Sequence, residues 1–297
     1  MPATDHPVSA APAPLPSPLV DTGWLAAHLG AGDLRVFDCS MVRQDKPGGG
    51  YAFVNGHEQW QQGHVPGSMH IDVASQLSDA TAALALTMPP IDQLVQRFAA
   101  AGIGDDTRVV LYDNSNHGWA ARVWWLLRVC GFDRAAVLNG GWSKWLAEGR
   151  PVSRQLTQYA CAHLTAQPRP RLMANQKRVL DSLAQPDVVR LLALSPAVYN
   201  GAVQLFARPG RIPASGNVHC DALLDPASNA YLKVDELRAL FTPSGALTAN
   251  EIITYCGGGI AACSDALALV ALGYDNVAVY DGSLSEWAAD PTMPMES

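Results

Sequence analysis

Short apolar runs alternate with longer stretches of helical periodicity along most of the chain. Runs rich in β-branched and aromatic residues, typical of buried strands, lie at residues 36–39, 109–112, 136–138, 179–180, 252–255 and 277–280. Helical stretches lie at residues 91–101, 120–129, 234–241 and 263–272. Strands that are apolar on both faces and alternate with helices predict an α/β fold with a mainly parallel sheet, covered by helices on both sides.

The same motifs occur twice, in the same order and at nearly constant spacing. Gly-His-Val-Pro-Gly at 63–67 returns as Gly-Arg-Ile-Pro-Ala at 210–214, and Arg35 to Asp38 returns as Arg178 to Asp181. Two further matched blocks end in Trp145 and Trp287. An ordered repeat of this kind indicates a duplicated domain. We therefore expect a disordered Pro-rich extension at 1–18, a first domain at 19–150, a linker at 151–176 and a second domain at 177–297.

Composition narrows the class of protein and of partner. The chain is 48% hydrophobic and 16% charged, with a net charge of −7, which argues against a nucleic-acid or anionic-membrane partner. The N-terminus lacks the basic residues of a secretory or organelle signal, and no apolar run has the length of a membrane span. Six cysteines in 297 residues do not suggest a disulfide framework. We expect a cytoplasmic protein.

The strongest candidate for chemistry follows the apolar run at 252–255. Cys256 is followed by Gly257, Gly258 and Gly259, and a helical stretch begins shortly after Ile260 and Ala261. In parallel sheets, ligands bind where strand ends meet helix N-termini. Glycines let successive N–H groups turn inward and form a nest for an anion, which the helix dipole reinforces. The loop is therefore predicted to hold a thiolate, or a thiolate that carries an extra anionic group.

Other interpretations of this loop remain open at this point. Cys256 could be a buried structural cysteine beside a glycine turn. A nucleotide P-loop would end in Lys-Ser/Thr, and a cysteine phosphatase needs an arginine to close the loop, whereas residues 260–262 are Ile-Ala-Ala. A redox pair of Cys256 with Cys263 is a further possibility. The other five cysteines are more simply explained as small hydrophobic residues.

Four blocks of the sequence resemble the tandem rhodanese family of sulfurtransferases. They are Gly-His-Val-Pro-Gly-Ser at 63–68, Leu-Asn-Gly-Gly-Trp-Ser-Lys-Trp at 138–145, Tyr-Cys-Gly-Gly-Gly-Ile-Ala-Ala at 255–262 and Tyr-Asp-Gly-Ser-Leu-Ser-Glu-Trp at 280–287. The resemblance implies two domains, each with a five-stranded, mainly parallel sheet flanked by helices. It implies transfer of a sulfane sulfur from thiosulfate or 3-mercaptopyruvate, through a persulfide on Cys256, to cyanide or a thiol. No metal or organic cofactor is implied, and a protein acceptor stays open.

The repeat indicates that only the second domain is catalytic. Asp113 occupies the position that corresponds to Cys256, and an aspartate cannot attack sulfur. The first domain is therefore similar to the non-catalytic half of the family, which helps to form an active site between the domains.

The residues that would bind the donor depart from the family pattern. Thiosulfate-preferring members carry basic residues in the loop and mercaptopyruvate-preferring members carry Gly-Ser-Gly, but this loop has three glycines. After Asp181, where the family commonly has Ala-Arg, Ser-Leu follows. Arg208 and Arg211 are candidates for the missing positive charge, and His64 matches a histidine of the mercaptopyruvate branch. The alternative function is a catalytically weak sulfur carrier or a regulatory binding module.

Overall fold

The computed structural model describes residues 14–45 and 51–297, so most of the predicted extension at 1–18 lies outside the described residues. Of its described part, Leu15 packs on the core and the carbonyl of Pro18 accepts a hydrogen bond from the N–H of Val137. The first half contains β1 (Leu19–Val20), α1 (Thr22–His28), β2 (Leu34–Asp38), β3 (Met41–Asp45), β4 (Tyr51–Asn55), α2 (His57–Gln62), β5 (Ser68–His70), α3 (Val73–Gln76), α4 (Ile91–Ala100), β6 (Arg108–Tyr112), α5 (Gly118–Val129), β7 (Ala135–Leu138) and α6 (Gly141–Ala147).

The second half repeats this order with fewer strands and several short 3₁₀ turns. Its elements are β8 (Met173–Ala174), α7 (Gln176–Ser182), β9 (Val188–Leu192), α8 (Pro196–Tyr199), β10 (Ser215–Asn217), α9 (Val234–Phe241), β11 (Glu251–Tyr255), α10 (Ala261–Ala271), β12 (Val277–Tyr280) and α11 (Ser283–Trp287). The 3₁₀ turns are Pro170–Leu172, Cys220–Leu223, Thr242–Ser244 and Ala246–Thr248.

The two halves have the same sheet topology. The first sheet has the order β1-β7-β6-β2-β5 and the second, read from its other edge, β8-β12-β11-β9-β10. Every strand pair in both sheets is parallel. The predicted fold class is confirmed. The antiparallel hairpin β3–β4 belongs to the first half alone among the described residues.

One strand prediction is wrong. Residues 179–180 lie in α7, and the partner of β2 in the repeat is β9. The match between Arg35–Asp38 and Arg178–Asp181 therefore joins a strand to a helix. In addition, β8 lies inside the stretch predicted as linker and pairs with β12, so the second sheet takes an edge strand from that stretch.

The repeated motifs make equivalent contacts in the two halves. The hydroxyl of Tyr112 accepts a hydrogen bond from the N–H of Val65, and that of Tyr255 accepts one from Ile212. Each buried tyrosine thus ties the end of a central strand to the Gly-x-x-Pro turn beside it. The two Trp side chains that end the last blocks also match, since each donates from Nε1 to a proline carbonyl at 2.8 Å.

The two halves share one interior. Helix α5 packs against α10, and a single cluster of buried apolar residues runs through both halves. The carboxyl ends of β6 and β11 lead into these two helices, so the loops at 113–117 and 256–260 lie at this junction. Among the described residues, none of the helices is both long and apolar enough to cross a membrane.

Candidate active site

Cys256 is held at the end of β11 by backbone contacts. Its N–H donates to Oγ of Ser283 at 3.0 Å, and its carbonyl accepts from the N–H of Leu284 at 3.0 Å. Ser283 adopts a positive φ of 49° to make this contact and donates from Oγ to the carbonyl of Tyr280 at 2.7 Å. The cysteine is 2% exposed and lies on the wall of a cavity. These contacts place its side chain independently of what occupies the cavity.

The three glycines of the loop have different surroundings. A Cβ on Gly257 would lie 2.9 Å from Cζ of Phe206, whereas one on Gly258 would meet nothing within 4 Å. Gly259 has φ of +78°, and a Cβ there would lie 2.8 Å from Oδ1 of Asp281. Glycine is therefore required by conformation and by space at Gly259. Among the described residues, no group accepts a hydrogen bond from the N–H of any of these glycines or of Ile260. The loop can offer these donors to an anion.

A cavity of about 960 Å³ opens in front of Cys256, between the two halves. Its wall is mainly apolar and includes the aromatic rings of Phe53, Trp119 and Phe206. Charged side chains at the wall, among the described residues, are those of Arg43, Asp221 and Asp225. The predicted loop residues on the wall are Cys256, Gly257, Gly258, Ile260 and Ala261. The large, largely apolar cavity with few polar groups has the character of a small-molecule site.

The corresponding loop of the first half is already filled by its own side chain. One carboxylate oxygen of Asp113 accepts from the N–H of Ser115 at 2.8 Å and of His117 at 3.2 Å. The other accepts from Trp119 at 3.1 Å and Ala120 at 3.0 Å. The hydroxyl of Ser115 also donates to the first oxygen at 3.0 Å, so this loop holds a carboxylate with four backbone donors and one hydroxyl. The carbonyl of Asp113 accepts a hydrogen bond from the N–H of Trp142, as the carbonyl of Cys256 does from that of Leu284.

The two predicted donor-binding arginines are engaged elsewhere. Arg208 donates to four backbone carbonyls of the C-terminal segment, at Trp287, Ala288, Asp290 and Met293. Arg211 forms an ion pair with Glu296 and donates to the carbonyl of Tyr199 at 3.0 Å. Neither side chain lies on the cavity wall. Both arginines bind the end of the chain to the segment between α8 and β10, so they are not donor-binding residues.

Asp181 and His64 also lie away from Cys256. Asp181 is on α7 and pairs with Lys177, one helical turn away, at 2.6 Å. His64 is fully buried, and its ring nitrogens contact the carbonyls of Trp60 at 2.7 Å and Gln155 at 3.1 Å. The positions after Asp181 where the family pattern predicted an arginine, Ser182 and Leu183, lie at the end of α7, whereas the residue that lines the cavity just after β9 is Leu194. The structure therefore does not assemble the predicted donor-binding set around the cysteine.

The remaining cysteines differ from Cys256 in their surroundings. Burial raises the pKa of the thiols of Cys39, Cys130, Cys220 and Cys263, which keeps these side chains protonated. Cys263 donates from Sγ to the carbonyl of Gly259 at 3.0 Å and lies beneath the loop. Cys161 is exposed and distant from the cavity wall. All six cysteines are free, and only Cys256 of the six lines the described cavity.

Sequence reasoning missed several residues near the loop. Arg122 of α5 is fully buried and pairs with Asp281 at 2.6 Å, and Arg43 of β3 reaches the cavity wall. The signal for Arg122 was present, since an arginine within the apolar stretch at 120–129 must have a buried partner. Asp281 and Ser283 belong to a recognised repeat block, but the block alone does not show which way their side chains point.

Comparison with known proteins agrees with this geometry. The family model described as "Rhodanese-like domain" matches residues 21–148 and 177–290. The chain is 30% identical over 314 residues to thiosulfate/3-mercaptopyruvate sulfurtransferase 2 of Arabidopsis thaliana, covering 96% of this chain and 88% of the relative. It is 32% identical over 280 residues to thiosulfate sulfurtransferase of Cricetulus griseus, covering 91% of each chain.

A solved structure shows the same similarity in three dimensions. The crystal structure of SseA from Escherichia coli, described as a 3-mercaptopyruvate sulfotransferase with the rhodanese fold, is similar with a TM-score of 0.79 at 26% identity. The match covers 90% of this chain and 98% of that one. The likeness therefore extends over both halves.

Proposed function

The chain belongs to the family of proteins built from rhodanese-like domains and is a sulfurtransferase, and we propose that it works through a persulfide on Cys256. The observation that carries this proposal is the position of Cys256 on the cavity wall, beside a loop whose N–H groups have no acceptor among the described residues. A nucleophile that alternates between a thiolate and a persulfide anion needs such donors.

The proposed reaction has two displacements at sulfur. The Cys256 thiolate attacks the outer sulfur of the donor, so an Sγ–S bond forms and the donor's bond to that sulfur breaks with both electrons on the leaving group. Thiosulfate releases sulfite; 3-mercaptopyruvate releases the enolate of pyruvate, which takes the proton of the donor thiol. A thiolate or cyanide then takes the outer sulfur, and the Cys256 thiolate is regenerated.

The loop stabilises the anions of both displacements. Backbone donors fixed in a buried loop need no reorganisation when charge moves, which makes electrostatic stabilisation effective. The loop at 113–117 of the first half, called the silent loop from here on, supports this role. There, four N–H groups donate to the carboxylate of Asp113 in the same structural context. The neutral glycines add no side-chain charge, so donor binding depends on the rest of the cavity.

We propose that both donors react and that thiosulfate binds weakly. Among the charged side chains of the described wall, one is a cation, Arg43, and two are carboxylates, Asp221 and Asp225. A dianion is therefore opposed by the net charge of the wall, whereas the single carboxylate of mercaptopyruvate is opposed less. Arg43 is the candidate contact for that carboxylate.

The acceptor is a small thiol or cyanide, and a protein thiol remains a proposal. The cavity is larger than either small donor requires, and the apolar side chains of Phe53 and Leu205 on its wall are 40% and 55% exposed. An organic thiol with an apolar body would fit this wall. A cytoplasmic location stays a prediction from sequence.

Intact-mass analysis after incubation with each donor tests the proposal. We expect a gain of one sulfur atom, which peptide mapping places on Cys256, and its loss on addition of cyanide. Cys256→Ser should gain no sulfur while its circular dichroism is unchanged; Cys161→Ser is the matched control and should behave like the wild type. Sulfur on a different cysteine would refute the role of Cys256, and no sulfur from either donor would favour a binding module.

A further inference from the structure

The guanidinium of Arg122 lies directly beneath the loop that follows Cys256. Arg122 belongs to α5 of the first half, yet its ion-pair partner, Asp281, belongs to the second half, at 2.6 Å. It also donates from Nη2 to the carbonyl of Leu86 at 3.0 Å. Arg122 is 1% exposed, and a charge so deeply buried is costly unless it is paired.

The ion pair is in contact with the backbone of the loop. A Cβ on Gly259 would lie 2.8 Å from Oδ1 of Asp281 and 3.1 Å from Nη1 of Arg122. Burial alone would lower the pKa of Arg122, but Asp281 and Cys263 raise it above its ordinary value, so the guanidinium stays charged. Both charges of the ion pair therefore lie against the third glycine of the loop, with the carboxylate oxygen nearer than the guanidinium.

The partner carboxylate connects the same loop to the first half. Its second oxygen accepts a hydrogen bond from the N–H of Met88 at 2.7 Å. Asp281 lies two residues before Ser283, which accepts the hydrogen bond from the N–H of Cys256. A displacement of Asp281 would therefore disturb the loop at two points, at Gly259 and at the contact between Ser283 and Cys256.

The repeat shows that this arrangement is present under one loop only. Helices α5 and α10 occupy equivalent places, and their alignment puts Asp265 opposite Arg122. Asp265 is fully buried, and neither of its oxygens has a hydrogen-bond partner among the described residues. The cation therefore serves the loop that carries the cysteine, and the silent loop, already filled by Asp113, has a carboxyl group at the matching position.

We propose that Arg122 is a positioning residue for sulfur transfer: from the first half it neutralises Asp281, and together the two side chains fix the backbone at Gly259. The inference rests on the proposed role of Cys256. It gives the first half a part in the reaction, because the side chain that neutralises Asp281 beside Gly259 belongs to α5. Other titratable groups around the loop and cavity are Asp221, Asp225, Asp265, Cys220, Cys263 and Arg43.

The test is the rate at which iodoacetamide alkylates Cys256 in the folded protein as a function of pH, read from the Cys256 peptide, with exposed Cys161 as internal reference. Arg122→Met leaves the Asp281 carboxylate unpaired against the loop, and a nearby negative charge disfavours a thiolate, so we expect the rate at pH 7 to fall about tenfold. The profile should move toward higher pH, and kcat for transfer should fall with it. Arg122→Lys keeps the charge and should restore most of the profile.

Arg108→Met is the matched control. Arg108 is also a buried arginine of the first half, paired with Asp33 at 2.7 Å, but it lies at the opposite end of β6. This variant should lose stability without moving the profile. Should Arg122→Met not fold, Asp281→Asn decides, because it leaves the cation unopposed: Cys256 should then alkylate at least as fast as in the wild type while transfer slows.

Two outcomes overturn the inference. An unchanged alkylation profile and kcat in folded Arg122→Met would reduce Arg122 to a structural residue, and slower alkylation in Asp281→Asn would contradict the role of the charge. Wild-type persulfide formation is measured in the same preparations. Sulfur on Cys256 with either outcome above refutes only the positioning role, whereas no sulfur on Cys256 refutes the proposed function and this inference with it.

Discussion

The loop after β6 holds the carboxylate of Asp113, and the loop after β11 holds the thiol of Cys256. Both loops leave a central parallel strand, lead into a buried helix and are anchored through the carbonyl of their first residue. In the first loop the backbone donors are taken by Asp113. In the second, the N–H groups of residues 257–260 have no acceptor within the described chain. The same scaffold therefore holds one loop whose N–H donors are occupied by a side chain and one loop whose N–H donors are available to a ligand.

The left-handed residue also differs between the loops. In the loop after β11 it is Gly259, and in the loop after β6 it is His117, which the repeat places opposite Ile260. His117 is buried, stacks on Tyr231 and contacts the carbonyl of Asn229 through Nε2 at 2.6 Å. The loop after β6 thus uses a bulky residue to contact the other half, whereas the loop after β11 lines the cavity.

The largest expected effect comes from converting the open loop into a filled one. Cys256→Asp should abolish sulfur transfer, because a carboxylate cannot accept a sulfur. If the loop is an anion nest, the same carboxylate should take the backbone donors, so the variant should melt at a temperature equal to or above that of Cys256→Ser. Transfer assays and thermal melts check both parts. A melting temperature well below that of the serine variant would contradict the nest.

A smaller effect is expected from the glycines. Gly259→Ala places a Cβ against Asp281 and forces a residue other than glycine to φ near +78°, so transfer should fall roughly ten- to hundredfold. Gly258→Ala is the matched control, since a Cβ there meets nothing within 4 Å, and it should stay within about twofold of the wild type. Steady-state kcat/KM with 3-mercaptopyruvate measures the difference. Equal losses in the two variants would show that the backbone at Gly259 has no special role.

Most of the fold could be predicted because the apolar periodicity and the repeat indicate the same alternation of strands and helices in each half. One exception is residues 179–180, where a four-residue match outweighed the longer apolar run that forms β9. Two others are β8, which lies in the stretch predicted as linker, and the hairpin β3–β4. Cys256 and its loop could be predicted because strand, glycines and helix are contiguous. The surroundings of Arg208 and Arg211 could not be predicted. The sequence places both near the motif but does not show that their guanidinium groups face the C-terminal segment.

The next effect is on stability and concerns the filled loop. Asp113→Ala removes the acceptor of four N–H groups, three of them buried, and we expect the free energy of unfolding to fall by about 3 kcal/mol. Asp113→Asn keeps one acceptor oxygen and should cost roughly half as much. Urea unfolding measures both. Persulfide formation on Cys256 should persist in the folded variants, and a loss of transfer without a loss of stability would show that Asp113 takes part in the chemistry.

The smallest expected effect concerns Asp38, which like Asp113 is a buried aspartate of the first half. Asp38 ends β2, is 4% exposed and accepts from the N–H of Ser40 at 2.7 Å; the matching strand, β9, ends in Leu192. Burial raises the pKa of Asp38 to about 6, and the charge of Asp113 adds to this. The folded state therefore holds a proton that the unfolded chain has released between about pH 4 and 6. The stability from this group is complete below about pH 4 and is lost as the pH rises through 6.

Asp38→Asn should for this reason stabilise the protein by about 2 kcal/mol at pH 7.5 and leave it nearly unchanged at pH 4. Asp33→Asn is the control of opposite sign, because the hydrogen bond from Arg108 lowers the pKa of Asp33, and its stabilising contribution is present above its unfolded pKa and lost at acid pH. Urea midpoints of each variant minus those of the wild type, taken at pH 4 and 7.5, isolate the two groups from the other carboxylates. If the difference for Asp38→Asn does not grow with pH, the Asp38 carboxyl is ionised in the folded state without cost. The first half would then hold two buried charges, those of Asp38 and Asp113, where the second half has Leu192 and Cys256.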